Sequence, residues 1–221
     1  MKKILKENGL SLAMFSLFFV CLVGHALTGY NVYNEDRSEH GGTRLLFKEY
    51  LGNGHFQESV FENWESEFLQ MAMYVLLTVS LYQKGSAESK KINKPETVDE
   101  DPFLHRNDPD VPWPVRKGGG WLKIYNVSLS AALLGLFLVS FVFHAAGGVK
   151  SYNEEQLLHH LSPMTVAEYL KTDQFWFESF QNWQSEFLSV AMLVVLSVFL
   201  RQKGSPESKP VFFAHSRTGK D

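Results

Sequence analysis

Four residue types recur in this chain at positions where they could do chemistry together. Asn63 and Glu67 stand four apart beside Trp64, and Asn182 and Glu186 stand four apart beside Trp183. On a helix that spacing makes each pair neighbours on one face. His25 and His144 each lie near the end of a long apolar run. Ionisable groups in such surroundings face a bundle interior, paired with one another or with water. Three chemistries compete for them. The plainest is a clamp, in which Asn63, Asn182, Trp64 and Trp183 form a structural polar cluster and each interhelical hydrogen bond contributes about 0.6–2 kcal/mol. The second is a cation, proton or metal site, because two imidazoles and two carboxylates (His25, His144, Glu67, Glu186) make a donor set suited to zinc or another divalent ion. The third is haem held by His25 and His144 on opposite faces of its ring. It is the least favoured, because both histidines are expected at shallow depth. No catalytic residue is expected, and no cofactor beyond the metal alternative.

What must position these residues is a duplicated unit. Residues 10–90 and 129–209 align without a gap at an offset of 119, and just under half of the pairs are identical. The matches include His25 with His144, Gly29 with Gly148, and Tyr33-Asn34-Glu35 with Tyr152-Asn153-Glu154. They continue through Glu49-Tyr50-Leu51 and Asn63-Trp64-x-Ser66-Glu67-Phe68-Leu69 to Gln83-Lys84-Gly85-Ser86-x-Glu88-Ser89-Lys90. A repeat of this kind sets the architecture before any motif is read.

A mean hydropathy of −0.13 averages very unlike segments. Leu10–Leu27 and Val127–Val149 are apolar runs, each with a single histidine. Either is long enough as a helix to cross a hydrocarbon core of roughly 30 Å. Phe68–Tyr82 and Phe187–Leu200 are shorter, and reach that length if their helices begin near Phe61 and Phe180. Trp64 and Trp183 would then sit at the interface. The expected fold is an all-α membrane protein, with four transmembrane helices from two tandem two-helix repeats in parallel orientation. Sixteen of the 21 lysines and arginines lie in the N-terminal tip, the 83–126 segment or the C-terminal tail. Basic residues stay cytoplasmic. Both termini are therefore expected in the cytoplasm, with segments 30–60 and 149–182 outside. Lys2-Lys3 and the following apolar run also resemble a cleavable secretory signal. The homologous run at 129–149 is internal, which favours a retained helix. A lone Cys21 excludes an intrachain disulfide and any thiolate cluster.

The expected organisation is a first membrane repeat over 1–90, a disordered cytoplasmic linker over 91–123, a second repeat over 124–209 and a tail over 210–221. Short amphipathic outer helices are expected, capped at Thr43 before Leu45–Leu51 and at Ser162-Pro163 before Met164–Leu170. Long second helices should start at Asn53 and at Thr172-Asp173. The Gln-Lys-Gly-Ser terminators read as helix stops with glycine at the left-handed position and lysine near the headgroups. Tyr33-Asn34-Glu35 and its copy read as turns. The linker is rich in proline, aspartate and lysine, and reads as a solvated tether including Pro112-Trp113-Pro114 and His105. Outside the membrane, His40 and His159-His160 beside Glu35 and Glu154-Glu155 read as solvated groups, although they could extend a metal site.

Phosphate-loop, Gly-x-Ser-x-Gly, His-Glu-x-x-His and Cys-x-x-Cys patterns are all missing from the sequence. Basic residues are dispersed near the expected membrane ends, so no nucleic-acid partner is expected. The outer segments, counting the glutamates at the helix entries, hold 14 acids against five bases, a balance that attracts cations.

The Tyr-Asn-Glu, Phe-x-Asn-Trp-x-Ser-Glu-Phe-Leu and Gln-Lys-Gly-Ser-x-Glu-Ser-Lys motifs together resemble a bacterial family of small membrane proteins known as a domain of unknown function. The resemblance covers both repeats. It implies a bacterial inner-membrane protein with no assigned reaction, and it carries over no catalytic residue. Gln184 replaces Glu65 in the second repeat, so a role of Glu65 cannot be symmetric. The expected function is structural or accessory in the envelope, with ion or metal handling through the His/Glu set as the alternative. Expected partners are the lipid bilayer and, through the outer helices, a second copy or another membrane protein.

Overall fold

Long apolar runs without proline, joined by polar segments, favour helices. The computed structural model describes residues 2–158 and 160–220, and every regular element among them is helical. The long helices are α1 (Lys2–Glu39), α3 (Gly54–Ser80), α6 (Ser128–Leu158) and α8 (Asp173–Phe199). Single turns, α2 (Phe47–Tyr50) and α7 (Val166–Tyr169), precede α3 and α8. Helices α4 (Trp113–Lys117) and α5 (Gly119–Asn126) precede α6. Corresponding bounds of α2 and α7, and of α3 and α8, differ by 119 residues (166 − 47, 169 − 50, 173 − 54, 199 − 80).

Three of these helices, α1, α6 and α8, are long and apolar enough to cross a membrane. Their apolar side chains are left largely uncovered by the chain itself, with Leu10 78 %, Val20 70 % and Val142 62 % exposed. In water such surface is unfavourable by about 25 cal/mol per Å², whereas lipid removes that cost. Helix α3 matches α8 in length at 27 residues, about 40 Å of rise, but it carries Glu58, Glu62, Glu65 and Glu67.

Helices α1 and α6 run past their apolar cores. The Tyr-Asn-Glu motifs lie inside them and are not turns. The reason is local: no glycine or proline intervenes before Gly41, at φ +78°, or before Pro163. Helices α3 and α8 start where expected, with Asn53 Oδ1 accepting from His55 N at 2.8 Å and Thr172 Oγ1 from Phe175 N at 3.3 Å. The cap of α7 is Thr165, not Ser162. Its hydroxyl accepts from Glu168 N at 3.3 Å while Thr165 N donates to Glu168 Oε2 at 2.7 Å, a reciprocal box. These bonds from Thr165 hold the Glu168 carboxyl below its usual range.

The chain divides into two compact units. The first comprises the described residues of Met1–Phe61 and Phe143–Phe175. Tyr50 and Tyr169 are fully buried at its centre. Each tyrosine lies over a glycine of the preceding long helix, Tyr50 over Gly29 and Tyr169 over Gly148. A Cβ on Gly148 would meet the Tyr169 ring at 2.6 Å. Glycines also bring α3 and α6 together here. A Cβ on Gly147 would lie 2.6 Å from Glu58 N, and one on Gly54 would lie 2.6 Å from Ser151 N. Small residues allow backbones to approach this closely.

The second unit comprises the described residues of Glu62–Val142 and Trp176–Asp221. The 91–123 segment belongs to it and carries 3-10 turns at Thr97–Asp99 and Pro102–His105 besides α4 and α5. Side chains fix these turns: Asp101 accepts from Phe103 N at 3.0 Å, and His105 bridges Asp108 at 3.1 Å and Glu100 at 3.0 Å. Trp113 and Trp121 meet edge to face at 5.3 Å, with the Lys117 ammonium 4.9 and 5.3 Å from the two rings.

Two predictions follow from these contacts. Gly147→Val should destabilise the protein by roughly 1–3 kcal/mol through overpacking, read as a lower unfolding temperature in detergent. Gly24→Val, where a Cβ meets nothing within 4 Å, should leave that temperature nearly unchanged. Separately, the bonds from Asp108, then Glu100, raise the pKa of His105. Its contribution is therefore complete below the ordinary histidine range and lost as pH rises through the raised value. An NMR titration of the His105 ring should show a midpoint that falls on Asp108→Asn.

Candidate functional site

Spacing of 58, 62 and 65 puts three glutamates on one face of α3, since i, i+4 and i+7 recur along one stripe. Each has a partner within its own unit. Glu58 Oε1 accepts from Tyr169 Oη–H at 3.0 Å in the first unit. In the second, Glu62 Oε1 accepts from Asn182 Nδ2 at 3.2 Å and Glu65 Oε1 from Trp183 Nε1 at 3.0 Å. Glu65 is fully buried, next to buried Ser66. Trp183 is itself held in place by edge-to-face contacts with Phe180 at 5.5 Å and Trp176 at 6.3 Å. A carboxylate in such a place requires a donor, because an unpaired buried charge is very costly.

The sequence-derived candidates fall out as follows. His25 and His144 both lie in the first unit, and Glu67 and Glu186 both lie in the second. His25 Nε2 pairs with Ser59 Oγ at 3.1 Å, its ring 5.7 Å from Phe56. His144 is fully buried and stacks on Phe175 at 4.8 Å. Phe56 and Phe175 are equivalent residues of the two repeats, so each histidine meets the aromatic ring one turn into its own repeat's second helix. A ring nitrogen of His144 and a carboxylate oxygen of Glu58 lie within 4.8 Å of one another. Glu186 is half-buried. Asn63 and Glu67 are exposed positions and Trp64 is half-buried, whereas Asn182 and Trp183 supply the donors just described. His40 is exposed beside Asp36, with Nδ1 2.9 Å from the Asp36 carbonyl. His160 has a positive φ of 59°. His159 lies outside the described residues.

Sequence reasoning missed the asparagines of the Tyr-Asn-Glu motifs. Asn34 Oδ1 accepts from Leu45 N at 2.7 Å while its amide donates to Tyr30 O at 3.1 Å and Leu45 O at 3.4 Å. Asn153 repeats this with Met164, accepting and donating at 2.8 Å. Both side chains thus act as an extra backbone strand edge for the returning chain. Glu154 ties in the first repeat, accepting from Tyr33 Oη–H at 2.7 Å and Asn53 Nδ2 at 3.1 Å. The signal for Glu65 was available: the 58-62-65 spacing of glutamates in a partly apolar helix.

At the other end of the long helices, the terminators are closed loops. Ser89 Oγ accepts from Gln83 N and Ser208 Oγ from Gln202 N, both at 2.9 Å. Gly85 and Gly204 have φ of +87° and +85°. They lie within these loops, several residues beyond the helix ends at Ser80 and Phe199. The loops therefore depart from the expected C′ glycine. Ser86 Oγ meets Ser197 Oγ at 2.8 Å. Lys209 is buried, and its ammonium donates to the carbonyls of Gly85, Arg217 at 2.8 Å and His215 at 3.1 Å. Burial, reinforced by the Arg201 charge, pushes its pKa below the usual lysine value.

Among the described residues every regular element is helical, three helices are long and apolar enough to cross a membrane, and the buried Glu65 carboxylate is hydrogen-bonded, which defines a membrane-compatible helical protein. It belongs to the family described as domain of unknown function DUF6766, whose model matches residues 1–220. No curated protein and no solved structure matches the chain.

Trp183→Phe should leave the Glu65 carboxylate short of a donor and cost about 1–3 kcal/mol, whereas Gly24→Val, away from the site, should cost less. The comparison is read from the unfolding temperatures of these two variants in detergent. Asn34→Ala and Asn153→Ala should each cost about 1–2 kcal/mol, since a side chain that both accepts from and donates to the returning backbone is lost. Hydrogen exchange should rise at Leu45 in the first variant and at Met164 in the second.

Proposed function

We propose that this is a multi-pass protein of the bacterial inner membrane, built from two tandem two-helix repeats in parallel orientation, and that its role is structural or accessory to the envelope. Helix α3 is the fourth span, with Glu58, Glu62 and Glu65 paired to residues of the second repeat. Both termini and the 91–123 segment are cytoplasmic, following the distribution of lysine and arginine. The observation that carries the reading is the pairing of every glutamate of the 58-62-65 stripe with a donor from the second repeat: Tyr169, Asn182 and Trp183. A helix so bound to its neighbours is a clamp. Reporter fusions test the topology: an enzyme active only in the periplasm should be silent after residue 220 and active when inserted after His40. Activity after residue 220 would overturn it.

A second reading is cation, proton or divalent-metal handling through His25, His144, Glu67 and Glu186. Its support is the closeness of Glu58 to His144. Elemental analysis of detergent-purified protein separates the readings. Stoichiometric metal that disappears in the His25→Ala, His144→Ala double variant favours the second. Metal-free protein whose unfolding temperature falls in that variant favours the clamp.

A further inference from the structure

We propose that the first repeat's terminator loop and the C-terminal tail form a binding site for a phosphoryl group, supplied by the headgroup of an anionic lipid or by a free phosphate ester. Lys84, Lys91, Lys94 and Arg217 line one open cavity of about 960 Å³ within the second unit, together with Ser216 and Thr218. Four cations share this cavity with two acids, Glu96 and Glu100. Both acids already have partners. Glu96 Oε1 accepts from Lys91 N at 2.8 Å, and Glu100 Oε2 lies 3.0 Å from His105 Nε2. None of the four cationic heads makes an ion pair with a carboxylate among the described residues. Like charges gathered around one cavity repel, and a multivalent anion between them removes that repulsion.

The cations are gathered by hydrogen bonds, not left to wander. Gly85 N donates to Thr218 Oγ1 at 2.9 Å and Gly219 N donates to Ser86 O at 3.0 Å. These two bonds stitch the neighbours of Lys84 to the neighbours of Arg217. The Arg217 guanidinium lies 3.6 Å over the Phe213 ring, which orients its planar fork. Thr218 Oγ1 is used as an acceptor, so its own proton is left to donate into the cavity. Arginine with lysines and hydroxyls is the donor set that phosphate oxygens accept from. Lys84 follows the end of α3 at Ser80 by four residues, the depth at which a headgroup sits if α3 spans. Ile92 and Val98 in the lining offer the glycerol and acyl carbons an apolar wall. The second copy of the loop is built differently, because its other lysine, Lys209, is already bound to backbone carbonyls. Lys203 lies in a separate cavity with Pro206, Pro210, Val211 and Phe212.

The full-length protein is tested in two settings. In nanodiscs of phosphatidylcholine with or without phosphatidylglycerol, native mass spectrometry counts retained anionic lipid. In lipid-stripped detergent, inorganic phosphate is titrated against unfolding temperature. The Lys84→Gln, Lys91→Gln, Lys94→Gln, Arg217→Gln variant should lose about tenfold or more in apparent affinity. Lys3→Gln, Lys6→Gln, Lys117→Gln, Lys203→Gln, with the same charge change, should lose little. Groove-dependent retention of lipid alone supports the site and assigns its source as a headgroup; groove-dependent phosphate binding supports it with a free ester as source. Equal losses in both quadruple variants, or no binding in either setting, overturns the proposal. If the first variant does not give a single helical species by gel filtration and circular dichroism, Lys84→Gln, Lys94→Gln replaces it. Both of those residues are exposed, and the expected loss is about threefold, with no loss overturning the site.

Discussion

Carboxylates in a helix surrounded by apolar neighbours are tolerable only where each oxygen is given a proton donor. Helix α3 places three of them on one stripe, and the arrangement around it answers that demand. In the second unit the requirement fixes the register of α3 against α8. Turning α3 by one residue would rotate the stripe by about 100°, withdrawing Glu62 from Asn182 and Glu65 from Trp183 together. Apolar contacts alone would not discriminate so sharply, because leucine and valine tolerate small slides and their attraction has no direction. Polar pairs supply direction; the apolar surface supplies area.

The same pairs show how two copies of one unit came to do different things. Positions 177, 181 and 184, equivalent to the stripe of the first copy, are Phe177, Gln181 and Gln184. The donors, in contrast, occur in both copies: Tyr50 with Tyr169, Asn63 with Asn182, Trp64 with Trp183. Acid therefore stands in one half and its partners in the other. Identical halves would have set carboxylate against carboxylate wherever the stripes met, and like charges at short range are unfavourable in a poorly screened setting. What stays symmetric is the backbone packing. Tyr50 over Gly29 and Tyr169 over Gly148, with Asn34 and Asn153 bracing the return, need only a small residue, a ring and an amide.

This division explains what the amino-acid sequence reveals and what it hides. Long apolar runs, the starts of α3 and α8 at Asn53 and Thr172, and the duplicated bounds are local or periodic properties, and they are legible. The Glu65 partnership is legible on the acid side alone: the 58-62-65 spacing and the change to Gln184 mark the acid, but its donor Trp183 is 118 residues away. Tyr33-Asn34-Glu35 reads as a turn from side-chain preference alone. In the structure the asparagine reaches a backbone eleven residues away and leaves its own helix intact. The terminator motif is visible as a motif, but the partner that completes its first copy, Thr218, is 133 residues distant. No local pattern encodes a contact of that range.

Lys90 and Lys209 occupy equivalent places in the two terminators, and their fates differ for a physical reason. Lys90 donates to Asp99 at 2.6 Å on the surface, an ion pair that raises the lysine pKa and lowers that of the aspartate. Water screens such a pair, and its net worth is small. Lys209 has no carboxylate partner among the described residues, and turns instead to carbonyls of the first terminator and of the tail. Carbonyl dipoles can solvate an ammonium as water does, provided several converge, and here they come from segments far apart in sequence. The lysine thereby binds loop to tail. Removing its head group would leave those carbonyls facing one another with no donor between them. A surface lysine replaced by glutamine loses a screened attraction; a buried one leaves several acceptors unsatisfied at once, which is the costlier change.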